Sequence, residues 1–377
     1  MDDQGNGKGP PALAARAEDT LAALRDRVDG INGTLLSLFS ERARLALEIH
    51  AVKSAAGRPV HDPERERQMV ERLVASNPGP LADGAVAHLF GELFAATKAL
   101  MEAGERRTLR VARRAREPDA VVRVGSDAIG GDPVLIAGPC AIENALQIDQ
   151  TAAFLASRGV RFLRGGAYKP RTSPYDFQGL GEAGLELLAA AAKRHGLRSV
   201  TEVTDTRHVD LVCRHADVLQ IGARNMQNFE LLKEVGRAKR PVLLKRGLAA
   251  TLDELLHAAE YVVSHGNSAV VLCERGIRSF GRETRNLLDV SAVALLRRAT
   301  ALPVIADVSH AAGRKDILAP LARAALAAGA QGILLEVHPS PAAARSDAQQ
   351  QLDFAEFDRF QEEVFDAPRI ERRKEQA

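Results

Sequence analysis

VIADVSHAAGRKDILAPLARAALAAGAQGILLEVH (304–338) holds one full structural phrase. VIADVS (304–309) is a short apolar run ending in polar residues, and ILLEVH (333–338) is a second. The alanine- and leucine-rich stretch ILAPLARAALAAG between them reads as a helix. Two buried strands joined through a helix are the parallel βαβ unit. Working outward, the same phrase recurs at VLIAGP (134–139), FLRGGA (162–167), SVTEVT (199–204), VLQIGA (218–223), VLLKRG (242–247) and VVLCER (270–275). Helical stretches such as LELLAAAAKR and LDELLHAAEYV separate them. Eight strand-then-helix units over about 230 residues predict an α/β fold, a (β/α)8 TIM barrel covering 119–366. A doubly wound sheet is the fallback, but the even spacing favours closure. VVRVGSDAIGGD (121–132) reads as a small hairpin capping the barrel bottom.

Ahead of the barrel the texture is helical, and residues 18–104 form a separate all-α, three-helix domain. Leu21, Leu24, Val28, Ile31, Leu35, Leu38 and Leu45 recur at three- and four-residue steps, as a buried helix stripe should. This first helix spans about 18–54, too long to bury its stripe alone, so it packs against a partner chain. Gly57 and Pro59 stop it, and Asp62-Pro63 reads as the N-cap and first-turn proline of a second helix to about 75. After Asn77-Pro78-Gly79-Pro80 a third helix spans about 82–103. Residues 105–118 are an Arg-rich linker, with six arginines in GERRTLRVARRARE (104–117). Without interleaved aromatics it reads as a solvated connector or helix end, not a nucleic-acid patch. Residues 1–17 and 367–377 are polar enough to be loose.

Composition excludes several partner classes. The 377 residues carry 51 basic and 49 acidic side chains, a formal net charge of +2 that calls for no polyelectrolyte partner. Aromatics are 4% with no Trp, which leaves little for stacking on bases. Cys140, Cys213 and Cys273 are scattered and odd in number, a pattern of reducing compartments. The opening MDDQGNGKGPP has no apolar signal core, and no uncharged apolar run approaches the roughly 20 residues of a spanning helix. The expectation is a cytoplasmic protein with no membrane and no nucleic-acid partner.

Barrels of this class gather chemistry at the C-terminal ends of their strands. Cys140, Arg164, Lys169, Glu202, Arg224, Lys245, Arg246, Arg275, His310, Glu336 and His338 all fall there. So many charges on one rim need partners or a ligand. The excess of cations makes that ligand an anion, phosphate or carboxylate. Cys140, His310, Glu336 and Asp347 mix soft and hard donors suited to a divalent transition metal. By spacing alone a buried small hydrophobe and a hydrogen-bonded histidine remain open.

AGPCAIEN, LRGGAYKPRTSPYDFQGLG, TEVTD, QIGARNMQNFELLKEVG, LLKRG, LCERGIRSF, TRNLLDVSAV, DVSHAAGRKD and EVHPSPAAARSDAQQQL closely resemble the type I-beta 3-deoxy-D-arabino-heptulosonate-7-phosphate (DAHP) synthases. The resemblance covers roughly 119–366. It implies condensation of phosphoenolpyruvate with erythrose 4-phosphate, the first step of aromatic amino acid biosynthesis. It makes Cys140, His310, Glu336 and Asp347 the metal ligands, for manganese first and iron, cobalt or zinc as alternatives. Lys169, Arg224, Lys245 and Arg275, joined by Arg164, match phosphoenolpyruvate contacts, and Arg171, Thr172 and Ser173 match erythrose 4-phosphate contacts. Asn144 stands where Ser is common, and Val308 where Pro usually precedes Ser-His. The chemistry agrees: fixed anions present C3 of the enolpyruvate to an aldehyde polarised by the metal.

The helical stretch resembles the all-helical chorismate mutases, with Arg25, Arg42, Lys53, Asp62, Arg65, Glu66 and Thr97 at that family's chorismate or prephenate site. Arg42 and Lys53 are three turns apart and share a face, whereas Arg25 lies off it, as expected for a residue reaching into a partner subunit's site. Met101 stands where a Gln normally hydrogen-bonds the ether oxygen, and Met is a poor donor. The implied reading is a homodimer or homotetramer whose helical domain binds chorismate or prephenate for feedback inhibition and converts chorismate weakly. The alternatives are a 3-deoxy-octulosonate 8-phosphate synthase, against which KPRTS argues because that family resembles KANRS there, and a helical domain that is purely a non-catalytic sensor.

Overall fold

The computed structural model describes residues 11–56, 62–171 and 173–366. The chain divides into two compact units, Met1–Arg106 and Arg107–Ala377.

The first unit holds α1 (Pro11–Ala55), α2 (Pro63–Ala75) and α3 (Asp83–Thr108). At 45 residues α1 is about 68 Å long. It begins seven residues before its expected start at 18, because PALAARA is rich in the strongest helix former. The predicted stop at Gly57 and Pro59 lies outside the described residues. α2 starts as the sequence predicts, with Asp62 accepting from the Arg65 N–H at 3.0 Å and Pro63 in the first turn. α3 runs five residues past its expected end and takes in the first of the Arg-rich stretch.

Among the described residues of this unit, nothing buries the α1 stripe. Leu21, Leu24, Val28, Ile31, Leu35, Leu38 and Leu45 are 42–59% exposed. Among the described residues of this unit only Thr97 is buried. Three helices of such unequal length give the long one no surface to cover its full stripe.

The second unit opens with the rest of the expected linker, and that part is no solvated connector. Val111 is buried, Ala112 bridges to Thr300, and the Arg113 N–H donates to the Ala299 carbonyl. The Arg113 guanidinium donates to the carbonyls of Arg297 and Thr300, at the end of helix Val290–Ala299. A cation there satisfies carbonyls that have no partner within the helix.

The hairpin β1 (Val122–Val124) and β2 (Asp127–Ile129) comes next. Eight parallel strands follow: β3 (Val134–Gly138), β4 (Phe162–Arg164), β5 (Arg198–Glu202), β6 (Val218–Ile221), β7 (Val242–Lys245), β8 (Val270–Glu274), β9 (Val304–Asp307) and β10 (Gly332–Glu336). They close in chain order, with β10 pairing β3 from Gly332↔Val134 to Glu336↔Gly138. Each begins within two residues of a predicted run.

Strand alternation decides what faces inward. Ile136, Phe162, Val200, Val218, Leu243, Val271, Ile305 and Leu334 pack together inside the barrel, while their neighbours pack against the helices. Val122, Val124 and Ile129 of the hairpin join this inner layer at the N-terminal ends of the strands. Two residues further along each strand, the inward positions are Arg164, Glu202, Gln220, Lys245, Asp307 and Glu336. The apolar layer therefore becomes a charged one at the opposite end.

Ile129→Ala should destabilise the barrel by about 2–4 kcal/mol, because the fully buried side chain leaves a cavity. Leu146→Ala, on an exposed helix face, should change stability by less than about 0.5 kcal/mol. Denaturant unfolding of both variants checks the plug; equal midpoints would disprove it.

Candidate active site

The charged layer lines a cavity of about 390 Å³ at the C-terminal mouth. Arg164, Lys169, Arg171, Arg224, Lys245, Arg275, Arg278 and Arg285 line it, against the carboxylates Asp176, Glu202 and Asp347. His310, Gln220 and Asn286 complete its polar wall. Such an excess of cations is stable only with anions inside.

The arginine atoms bear this out. Arg275 is 6% exposed and donates to the His310 carbonyl at 3.3 Å, while its Nη1 is buried with no partner among the described residues. Nε of the buried Arg164 is likewise unpartnered. Lys245 is buried and pairs with Asp307 at 2.5 Å. Arg224 is an exposed wall residue. Glu202 reaches the cavity because Gly222 has no side chain: a Cβ there would sit 2.0 Å from Glu202 Oε1.

A second cluster meets the first at its edge. The donor atoms of Cys140, His310, Glu336 and Asp347 all lie within 4.8 Å of one another. Cys140 follows β3, where Gly138 (φ +148°) turns the backbone so closely that a Cβ would meet the Arg164 carbonyl at 2.0 Å. Cys140 Sγ lies 2.9 Å from Lys169 Nζ and 3.1 Å from Asp347 Oδ2. Glu336 Oε1 pairs with Arg164 at 2.5 Å and lies 3.3 Å from His310 Nε2, while its Oε2 accepts from Gln350 at 2.6 Å. Arg285 holds Asp347 at 3.1 Å.

The electrostatics follow from burial among charges. Burial, helped by Glu336 and Asp347, pushes the Cys140 thiol up to about 12. Burial also lowers His310, against the pull of Asp307 and Glu336. Although burial would raise it, the Asp347 carboxyl is held at about 2 by His310, Arg285 and the Cys140 hydrogen bond. Burial opposes the charge on Glu336 too, and His310 and Arg164 keep it ionised. A cysteine sulfur that gives up its proton on binding, one imidazole and two carboxylates are a donor set that suits a divalent transition metal.

Not every expected residue joins the cavity. Arg246 turns into the barrel wall, pairing with Glu274 at 2.9 Å and Asp289 at 3.0 Å, because a buried carboxylate lies within reach there. His338 accepts from the Ser340 N–H and stands 3.7 Å from Glu143. Arg171 lines the cavity and donates to Ser346 Oγ at 2.8 Å. Ser173 accepts from the Tyr175 N–H instead, and Thr172 lies outside the described residues. The departures Asn144 and Val308 are structurally quiet: Asn144 caps helix Ala145–Ser157, and Val308 is fully buried.

Arg278, Arg285, Asn286 and Asp307 escaped the sequence reading. The first three lie in LCERGIRSF and TRNLLDVSAV, in the loop between β8 and the helix Val290–Ala299, beyond the strand end itself. Asp307 was legible from alternation alone, two residues beyond Ile305.

In the helical unit, Arg42 Nη1 donates to Thr97 Oγ1 at 2.9 Å and sits 4.7 Å over the Phe94 ring. Burial lowers the Arg42 guanidinium and the Glu66 charge opposes this. Asp62 spends its carboxylate on capping α2, beside the exposed Arg65. Lys53 is half-buried on α1, three turns beyond Arg42. Arg25 lies seventeen residues before Arg42, about 25 Å along the same helix, and cannot share this site within one chain.

The sequence profile of the DAHP synthetase I family matches residues 117–370, and that of chorismate mutase type II matches residues 24–102. The phospho-2-dehydro-3-deoxyheptonate aldolase of Thermotoga maritima is 50% identical over 255 residues, 67% of this chain and 75% of that protein. Its crystal structure superposes with a TM-score of 0.65, covering 67% of this chain and 74% of that one. A truncated form of the 3-deoxy-D-arabino-heptulosonate 7-phosphate synthase from the same organism, 47% identical, gives 0.62 over 66% of this chain and 92% of that one. A 2-dehydro-3-deoxyphosphooctonate aldolase of Acidithiobacillus ferrooxidans is 34% identical over 56% of this chain and 81% of that protein. With an eight-stranded barrel whose mouth gathers cations beside a four-donor cluster, and a helical unit ahead of it, the chain belongs to the DAHP synthetase I family and carries an N-terminal chorismate mutase type II domain.

Proposed function

We propose that the barrel condenses phosphoenolpyruvate with erythrose 4-phosphate to DAHP and phosphate, and that the helical unit binds chorismate or prephenate as a feedback signal. The observation carrying this is the cationic cavity with unpartnered guanidinium atoms beside Cys140, His310, Glu336 and Asp347.

Phosphoenolpyruvate brings a carboxylate and a phosphate, and Arg164, Lys169, Arg224, Lys245 and Arg275 supply enough charge for both. Fixing both ends leaves C3 as the free nucleophile. Arg171 at the cavity edge takes the phosphate of erythrose 4-phosphate, and Ser173 and Thr172 complete that loop. C3 attacks the aldehyde carbon, water adds at the C2 left electron-poor, and phosphate departs. Cys140, His310, Glu336 and Asp347 would hold a divalent ion, manganese first among manganese, iron, cobalt and zinc. When bound, that ion supplies Lewis-acid polarisation of the aldehyde oxygen. KPRTS favours the four-carbon sugar over the pentose phosphate that a phosphooctonate synthase takes.

For the helical unit, Arg42, Glu66 and Thr97 gather at one spot, and Lys53, Asp62 and Arg65 add to the site. Arg25 and the exposed α1 stripe are accounted for by a homo-oligomer, in which Arg25 enters a second subunit's site. Met101 follows Thr97 by one turn and offers no donor, so this unit serves chiefly as a sensor with weak mutase turnover. A ligand inhibits the barrel only by favouring one arrangement of the protein over another.

Cys140→Ala should lose tight metal binding and metal-restored turnover while keeping the fold. In the unaltered chain the thiol proton must leave, so apparent metal affinity should rise about tenfold per pH unit between about pH 6 and pH 9. Chelator competition reads both, and full activity of the variant in excess chelator would refute the assignment.

Arg171→Ala should raise KM for erythrose 4-phosphate about ten- to a hundredfold and KM for phosphoenolpyruvate far less. Equal effects, or faster turnover on arabinose 5-phosphate in the unaltered chain, would reassign the loop.

Removing residues 1–106 should leave an active synthase that prephenate no longer inhibits, and Met101→Gln should raise mutase kcat. Inhibition persisting in the truncated protein would place the sensor elsewhere.

A further inference from the structure

Asp307 ends β9 with no solvent exposure, and three groups share its two oxygens. Oδ1 accepts the His310 N–H at 3.0 Å, which caps the short helix Val308–Ala312. Oδ2 lies 2.5 Å from Lys245 Nζ, and 2.8 Å from His310 Nδ1 without the alignment of a hydrogen bond. The same oxygen therefore touches a lysine of the anion cavity and a histidine of the four-donor cluster. Lys245 and His310 both line the cavity, whereas Asp307 stands behind them and does not.

We propose that Asp307 is a positioning residue that sets the His310 ring and the Lys245 ammonium together, and so links metal affinity to phosphoenolpyruvate affinity. This rests on the assignment of His310 as a metal ligand and Lys245 as a phosphoenolpyruvate contact. A carboxylate beside Nδ1 favours the tautomer with its proton there, and a small turn of the ring would bring that N–H into line with Oδ2. That leaves the Nε2 lone pair on the side of Glu336, whose Oε1 is 3.3 Å away. Lys245 comes from a different strand, and its long chain has many rotamers. The buried anion selects one of them and leaves the other ammonium donors for a substrate oxygen. A turn of the His310 ring changes its approach to the oxygen that holds Lys245, so each site senses the other through one atom.

The test uses Asp307→Asn in the full-length chain. Asn keeps an acceptor for the helix cap but carries no charge. Manganese affinity, measured by chelator competition, should fall about ten- to a hundredfold. Phosphoenolpyruvate affinity of the metal-free protein, by calorimetry, should fall at least about tenfold, while KM for erythrose 4-phosphate stays within about twofold. A lower melting temperature with both affinities intact would make Asp307 merely structural and overturn the proposal. Loss of one affinity without the other would overturn the linkage. A second readout needs no altered Asp307: nitrogen NMR of the metal-free unaltered chain, with His310 assigned through the signals lost in His310→Gln. It should show the Nδ1-protonated tautomer, and an Nε2-protonated ring would overturn the proposal even if the Asn variant fails to fold. Binding of both ligands without turnover on erythrose 4-phosphate would instead fault the proposed function and leave this linkage standing.

Discussion

Charge neutralisation at three buried carboxylates holds the barrel mouth in shape. Glu274, Asp307 and Glu336 have no solvent exposure, and each is paired with at least one buried cation: Arg246, Lys245 and Arg164. Removing one partner of such a pair strands a charge in a poor solvent, at a cost of several kcal/mol. The pairs are therefore rigid, and Arg164 and Lys245 also line the cavity while Arg246 faces the wall. Burial pushes all three carboxyls up, but only at Glu274 does it outweigh the neighbouring cations, and Arg246 together with the Gly276 N–H keeps that carboxyl tied to the wall. It braces the segment that follows β7 against the loop carrying Arg275.

The four-donor cluster is held by amides as well as charges. Gln350 and Gln351 are buried: the first donates to Glu336, the second accepts from the Cys140 N–H and donates to the Ser346 carbonyl. Asp347 sits between them and Ser346 in a left-handed conformation (φ +51°), uncommon for a residue with a side chain. The surrounding hydrogen bonds over-determine the loop, which is how such a conformation persists near a functional centre. The plug of Val122, Val124 and Ile129 works from the other end, closing the barrel floor so that ligands enter only at the mouth.

The helical unit obeys a different constraint. Its long first helix carries an apolar stripe that the described residues of its own unit leave exposed. Arg42, anchored to Thr97 and Phe94, shows that a polar site is built where α1 meets α3.

The eight βα units were legible because buried parallel strands are short apolar runs and helices are long periodic ones. The inward charges followed from alternation, and the donor types of Cys140, His310, Glu336 and Asp347 were visible in the motifs themselves. Position in the chain could not tell Lys245 from Arg246, which are adjacent: one points into the cavity, the other into the wall toward Glu274 and Asp289. Nor could it show that Arg113, read as part of a solvated linker, caps the end of a helix nearly two hundred residues away. Sequence by itself determined the local periods, the strand order they imply and the chemistry on offer. Tertiary structure decided which charge meets which, because pairing depends on distances that closure of the barrel sets between residues far apart in the chain.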